Sequence, residues 1–166
     1  MKSFKICYFS AHSMEIPSLS AGVRQYQEQG GRIRVIARTG RQLFDESRIK
    51  AFVRDALASD VVLVILHGGR GSCPAFDALV EAVLEKRNYE EKTPYLHIHP
   101  QGSDEDGLLA AREYDHDFGT DRWDTLNRYL MHGGRINFYN MFSYLHNLLF
   151  QDKAPCNPPE SLPQEG

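Results

Sequence analysis

The hydrophobic positions change their spacing along the chain, and this change predicts alternating strands and helices. Short runs rich in apolar, aromatic or β-branched residues at 4–10, 33–37, 61–66 and 95–99 predict four strands. The run at 61–66 contains no polar position, which is typical of a parallel strand that is covered on both faces. The pattern therefore indicates a sheet whose strands are joined by crossover helices.

Apolar residues at helical spacing lie between these runs and predict three helices. The first follows Ser18 or Ser20 and ends at the glycine pair 30–31, where a left-handed residue is favoured. The second begins at Asp45, which can cap its first turn. The third begins at Pro74, since proline is favoured in a first helical turn.

The pattern changes after the fourth strand. A short helix is predicted around 108–114, and two longer ones at 123–131 and 136–150, separated by a Gly-Gly pair. The predicted fold is therefore α/β, with an open, mostly parallel, doubly wound sheet of the flavodoxin-like type. We expect four to five strands, with additional helices at the C-terminal end.

Composition narrows the class of protein further. The 166 residues are 42% hydrophobic and 25% charged, which is ordinary for one globular domain. The net charge of -3 argues against a nucleic-acid partner. No apolar run reaches the roughly 20 residues that span a bilayer. Three cysteines without a CxxC motif favour reduced thiols, so we expect a cytoplasmic protein with no membrane span.

The last sixteen residues differ from the rest of the chain. Half of the eight prolines lie in 151–166, where no hydrophobic periodicity is present. Such a segment has little apolar area to offset the entropy of ordering it. We therefore expect an α/β domain at 1–150 and, at 151–166, a proline-rich linker leading toward further domains.

The glycine-rich loop after the third strand is a candidate ligand site. Pro74 stands where the third glycine of GxGxxG would fall, and no Gly-Lys dipeptide occurs, so neither a Rossmann motif nor a P-loop is present. Backbone amides of Gly68 and Gly69, with Arg70 beside them, form a candidate site for an anion such as a carboxylate. The alternative is a tight turn that needs positive φ angles.

Four histidines lie at predicted strand ends. His12 follows the first strand, His67 ends the third, and His97 and His99 occupy alternate positions in the fourth. Ligands of open α/β sheets gather at the carboxyl ends of strands, and imidazole is a common transition-metal ligand. These histidines are candidate metal ligands or a surface that faces a tetrapyrrole. The alternative is that they only hydrogen-bond neighbouring loops.

Two other features, an acidic stretch and a cysteine, give weaker indications of a functional site. Eight acidic residues against two arginines lie in 104–124, which is typical of a solvated surface. Cys73 precedes a predicted helix, a position that can activate a thiol, but no motif supplies a partner histidine. We predict no catalytic residue in this chain.

Three segments resemble one family. Residues 60–70, with Phe-Asp at 76–77, resemble the N-terminal region of the large subunit of cobaltochelatase, CobN, and of the related porphyrin-binding subunit of magnesium chelatase. Residues 129–145 look like that family's "YL..GG..N..N.L.YL" passage, and 158–166 look like its proline-rich connector. The resemblance spans most of the chain, but its motifs are structural, and His67 does not belong to them.

The resemblance implies a function for a longer protein. Such enzymes insert cobalt or magnesium into a tetrapyrrole, and separate AAA+ subunits hydrolyse the ATP. This chain would then be an N-terminal head domain, whose partners are the remaining domains, the ATPase subunits and the tetrapyrrole. We expect it to bind no cofactor and to be inactive alone. The alternative hypothesis is a free-standing flavodoxin-like module that binds a metal or an anion.

Overall fold

The computed structural model describes residues 2–102, 104–115 and 117–161. It contains one four-stranded sheet in the order β2-β1-β3-β4. The strands are β1 Phe4–Ser10, β2 Ile33–Thr39, β3 Val61–His67 and β4 Tyr95–Gln101. β3 is parallel to both β1 and β4. This order is the start of the flavodoxin-like order 2-1-3-4-5, so the predicted fold class is confirmed.

Six α-helices accompany the sheet in the described residues. They are α1 Ile16–Glu28, α2 Glu46–Leu57, α3 Phe76–Tyr89, α4 Glu105–Tyr114, α5 Thr120–His132 and α6 Gly134–Phe150. No helix in the described ranges combines the length and the hydropathy that crossing a membrane requires.

The helix ends confirm some sequence signals and correct others. Asp45 caps α2, and its Oδ1 accepts a hydrogen bond from the Arg48 amide at 2.8 Å. Neither Ser18 nor Ser20 caps α1, because that helix already begins at Ile16. The third helix begins two residues after Pro74, since a short 3-10 turn precedes it.

The chain divides into two compact units. The sheet unit comprises residues 5–13 and 34–118, and the helical unit comprises the described part of residues 1–4, 14–33 and 119–166. In the sheet unit, β3 is buried from Val61 through Leu66, as its continuous apolar run predicts.

β4 continues past the residue where we expected it to stop. Tyr95 N–H donates to the Asp60 carbonyl next to β3 at 2.9 Å, so the amides of the even-numbered residues of β4 point to the other edge. Pro94 and Pro100 lie at such positions and therefore cost no hydrogen bond with β3. For this reason Pro100 does not end the strand, which extends to Gln101.

Carboxylates cover the remaining outward amides of β4. Leu96 N donates to Asp117 Oδ2 and Ile98 N donates to Asp115 Oδ2, both at 2.6 Å. Asp117 Oδ2 also accepts from the Arg87 guanidinium at 2.6 Å. The outer edge of β4 thus offers no free amide from 94 to 100 that a further strand could pair with.

The helical unit brings α1 against α6. A Cβ placed on Gly22 of α1 would lie 2.7 Å from Phe138 Cβ of α6, so a side chain at that position would separate the helices. Between α5 and α6, Gly133 and Gly134 have φ angles of 60° and 80°, which accounts for the predicted break.

Part of the segment after α6 is bonded to that helix, through contacts that the sequence did not predict. Asn147 Nδ2 donates to the Ala154 carbonyl at 2.9 Å, and Ala154 N donates back to Asn147 Oδ1 at 3.2 Å. Asn137 makes the same pair of bonds with the Glu160 backbone, at 2.8 and 2.9 Å. The side-chain amides of Asn137 and Asn147 therefore hold the backbone at residues 160 and 154. That the segment leads to further domains stays a prediction, and 162–166 lie outside the described residues.

Candidate functional site

Two of the predicted histidines lie together at the point in the sheet where the order of the strands reverses. The strand order reverses between β1 and β3, and ligands of open α/β sheets bind at the carboxyl ends of such strands. His12 follows β1 and His67 ends β3, and their ring centroids are 4.4 Å apart with an interplanar angle of 63°. His12 is exposed and His67 is half-buried, so the pair is open to a ligand from solvent.

Serine hydroxyls fix the backbone that carries both rings. His12 N donates to Ser10 Oγ at 3.4 Å, and His67 N donates to Ser72 Oγ at 3.1 Å. The Ser72 hydroxyl donates in turn to the Gly69 carbonyl at 2.8 Å. Each histidine is therefore anchored by a second residue of its own loop.

The other two predicted histidines lie within the sheet unit. His97 is fully buried, and its Nδ1 is 3.0 Å from Asp115 Oδ2. His99 is also buried, and it pairs with Ile65 in the β3–β4 register, two positions before the end of β3. Within the part of the chain that the structure describes, no three His, Cys, Asp or Glu side chains form a group that could hold a metal ion. The structure thus joins His12 and His67 without bringing His97 and His99 to them, and metal binding stays a prediction.

The glycine-rich loop holds a carboxylate of the chain itself. Arg70 N donates to Asp106 Oδ2 at 2.8 Å, and the Arg70 guanidinium Nε donates to Asp106 Oδ1 at 3.1 Å. Gly68 and Gly69 have φ angles of 90° and 87°, so the turn needs glycine. A Cβ on Gly69 would also lie 2.7 Å from Asp106 Oδ2. Binding of an outside ligand by Gly68, Gly69 and Arg70 stays a prediction, and such an anion would compete with Asp106.

Sequence reasoning missed what the acidic stretch does. Asp104 caps α4, its Oδ1 accepting from the Asp106 and Gly107 amides at 2.8 and 3.3 Å. Asp115 and Asp117 bind the edge of β4, so the stretch is only partly a solvated surface. The spacing of two between these aspartates matches the spacing of outward amides on a strand, and that was the available signal.

The cysteines of the sheet unit are not nucleophiles. Cys7 and Cys73 are buried. Burial raises the pKa of each thiol to about 12, so both stay protonated at neutral pH.

Together, the fold and the site define an α/β domain with a pair of histidines at the point where its strand order reverses. Neither protein-family models nor curated protein sequences match the chain. Among solved structures, the catalytic subunit of cobaltochelatase from Mycobacterium tuberculosis is similar in fold over 96% of this chain, with a TM-score of 0.60 and 16% sequence identity. The chain spans 12% of the length of that subunit.

Proposed function

We propose that this chain is a domain of the large subunit of a cobaltochelatase-type enzyme, which inserts cobalt into a tetrapyrrole during cobalamin synthesis. The observation that carries the proposal is the similarity in fold over 96% of the chain to part of a cobaltochelatase catalytic subunit. The resemblance of 60–70 and 129–145 to this family agrees with the proposal, but no family model or curated sequence matches the chain. A magnesium chelatase large subunit is the alternative within this proposal.

The proposal assigns the energy source to another polypeptide. Without a P-loop motif in its sequence, this chain would depend on AAA+ partner subunits for ATP hydrolysis. Metal insertion must remove two pyrrole protons and strip water from the metal inside an enclosed pocket. In the proposal, the enzyme is cytoplasmic, and the other domains of its large subunit form that pocket. This domain docks over the tetrapyrrole or gates access to it, and it is inactive alone.

A second candidate function rests on the neighbouring side chains of His12 and His67. A free-standing module of this fold would bind a metal or a small anion at the paired histidines or at the loop 68–71, without further domains. The two candidates differ in the size of the polypeptide that contains the sequence. The cobaltochelatase catalytic subunit is about eight times as long as this chain.

The size of the native polypeptide separates the two candidates. An antibody raised against 1–166 should detect, on a denaturing gel of an extract from the source cells, a polypeptide several times larger than 18.9 kDa. Mass spectrometry of the precipitated band should give peptides that continue beyond residue 166. A single band at 18.9 kDa, made without proteolysis, would contradict the chelatase proposal and favour the free-standing module.

A further inference from the structure

The arrangement of His12 and His67 agrees with the geometry of two imidazoles on one metal ion. A metal ion binds imidazole nitrogen at about 2.0–2.1 Å, which places the centres of two neighbouring rings about 4.5–5 Å apart. The observed centroid separation is 4.4 Å, which is close to this range. Because Ser10 and Ser72 anchor the backbone of the pair, little further ordering is needed.

Gln101 provides a third group at the same edge of the sheet. It pairs with His67 in the parallel register of β3 and β4, so the two side chains leave the sheet on the same face. Gln101 Oε1 is buried and has no hydrogen-bond partner among the residues that the structure describes. A buried amide oxygen without a partner costs about 1–3 kcal/mol, and this cost disappears if the oxygen binds a ligand.

We propose that His12, His67 and the amide oxygen of Gln101 bind a divalent late transition-metal ion such as Co²⁺ or Zn²⁺. Two imidazoles and one neutral oxygen suit these ions, whereas Mg²⁺ needs oxygen ligands, usually carboxylates, in octahedral geometry. Waters fill the remaining positions, because His12 is exposed. The buried, protonated thiols of Cys7 and Cys73 take no part.

This metal site lies at the topological switch point, the position where open α/β sheets bind ligands. It uses residues of the sheet unit only, and it stands whether or not the chain belongs to a chelatase. Its test is a metal titration and the test of the chelatase proposal is the size of the polypeptide, so either can fail without the other.

Calorimetric titration of the chain with CoCl₂, and separately with ZnCl₂, should show saturable binding of one ion per chain. His12→Ala and His67→Ala should each weaken binding tenfold or more, and Gln101→Met should weaken it several-fold. His132→Ala, which changes a histidine of the helical unit, is the matched control and should bind as the unchanged chain does. MgCl₂ should give no saturable heat.

Visible absorption of Co²⁺ provides a second readout, because its d–d bands shift and gain intensity when imidazole nitrogens replace water ligands. This change should be absent or much smaller in His12→Ala. Since His12 is exposed, that variant keeps the fold, and circular dichroism checks this. Absence of saturable Co²⁺ and Zn²⁺ binding overturns the proposal. The same affinity in the unchanged chain and in His12→Ala also overturns it.

Discussion

Replacing Asp115 with alanine should lower the free energy of unfolding by about 2–5 kcal/mol, because two buried polar groups lose the carboxylate that they contact. The Asp115 side chain is 1% exposed, and its Oδ2 accepts from Ile98 N at 2.6 Å and lies 3.0 Å from His97 Nδ1. Alanine leaves both groups buried without this oxygen. Urea unfolding followed by circular dichroism measures the loss.

Asp115→Asn is the conservative comparison, because its amide oxygen can still accept from Ile98 N, and we expect a smaller loss. Asp124→Ala removes an exposed carboxylate from α5 and should change stability by less than about 0.5 kcal/mol. Asp115→Ala should also increase light scattering, since the outer edge of β4 becomes available to another chain. A loss below 0.5 kcal/mol in Asp115→Ala would show that the carboxylate does not hold this edge.

Ending the chain after Gln151 should lower the melting temperature by about 10 °C, which corresponds to about 3–4 kcal/mol for a domain of this size. The truncation removes the backbone partners of Asn137 and Asn147 and the Asn157 carbonyl that accepts from the Tyr129 hydroxyl. Asn137 is fully buried in the full chain, and after truncation its amide keeps only the bond from Nδ2 to the Gly133 carbonyl. Differential scanning calorimetry measures the shift.

Asn137→Ala should reproduce part of this shift in the full chain. Glu160→Ala is the control for this variant, because Glu160 bonds to Asn137 through backbone atoms only. The melting temperature of Glu160→Ala should equal that of the unchanged chain. If the truncated chain melts within 1–2 °C of the full chain, residues 154–160 do not contribute to stability and the segment behaves as a free linker after all.

The sequence predicted the order of strands and helices because hydrophobic spacing reports directly on the face that each residue buries. The sequence-based prediction failed where a contact with a residue distant in sequence determines the local structure. Pro100 ends a strand only if its missing amide would face a neighbour, and the sequence does not show which edge of β4 is outermost. Likewise, the prolines after residue 151 predict a linker, and the sequence does not show that the side chains of Asn137 and Asn147 bind the backbone of this segment.

Only part of the candidate site could be predicted, because some of its contacts also depend on residues distant in sequence. Strand-end position identified His12 and His67, and the strand order places them side by side. His97 and His99 share the spacing of a ligand pair, but burial and the contact of His97 with Asp115 depend on a segment 18 residues further along the chain. The loop 68–71 binds a carboxylate as its amides suggest, but Asp106 supplies that carboxylate from α4.

The proposal that this chain is one domain of a cobalt-inserting subunit is tested most directly by an absorbance assay of cobalt insertion. The complete polypeptide encoded by the gene is mixed with its ATPase subunits, ATP, Co²⁺ and hydrogenobyrinic acid diamide. We expect ATP-dependent formation of the cobalt complex, its loss when 1–150 are deleted, and none with 1–166 in place of the complete polypeptide. Failure of the complete polypeptide to insert cobalt, or insertion by 1–166 alone, would contradict the account.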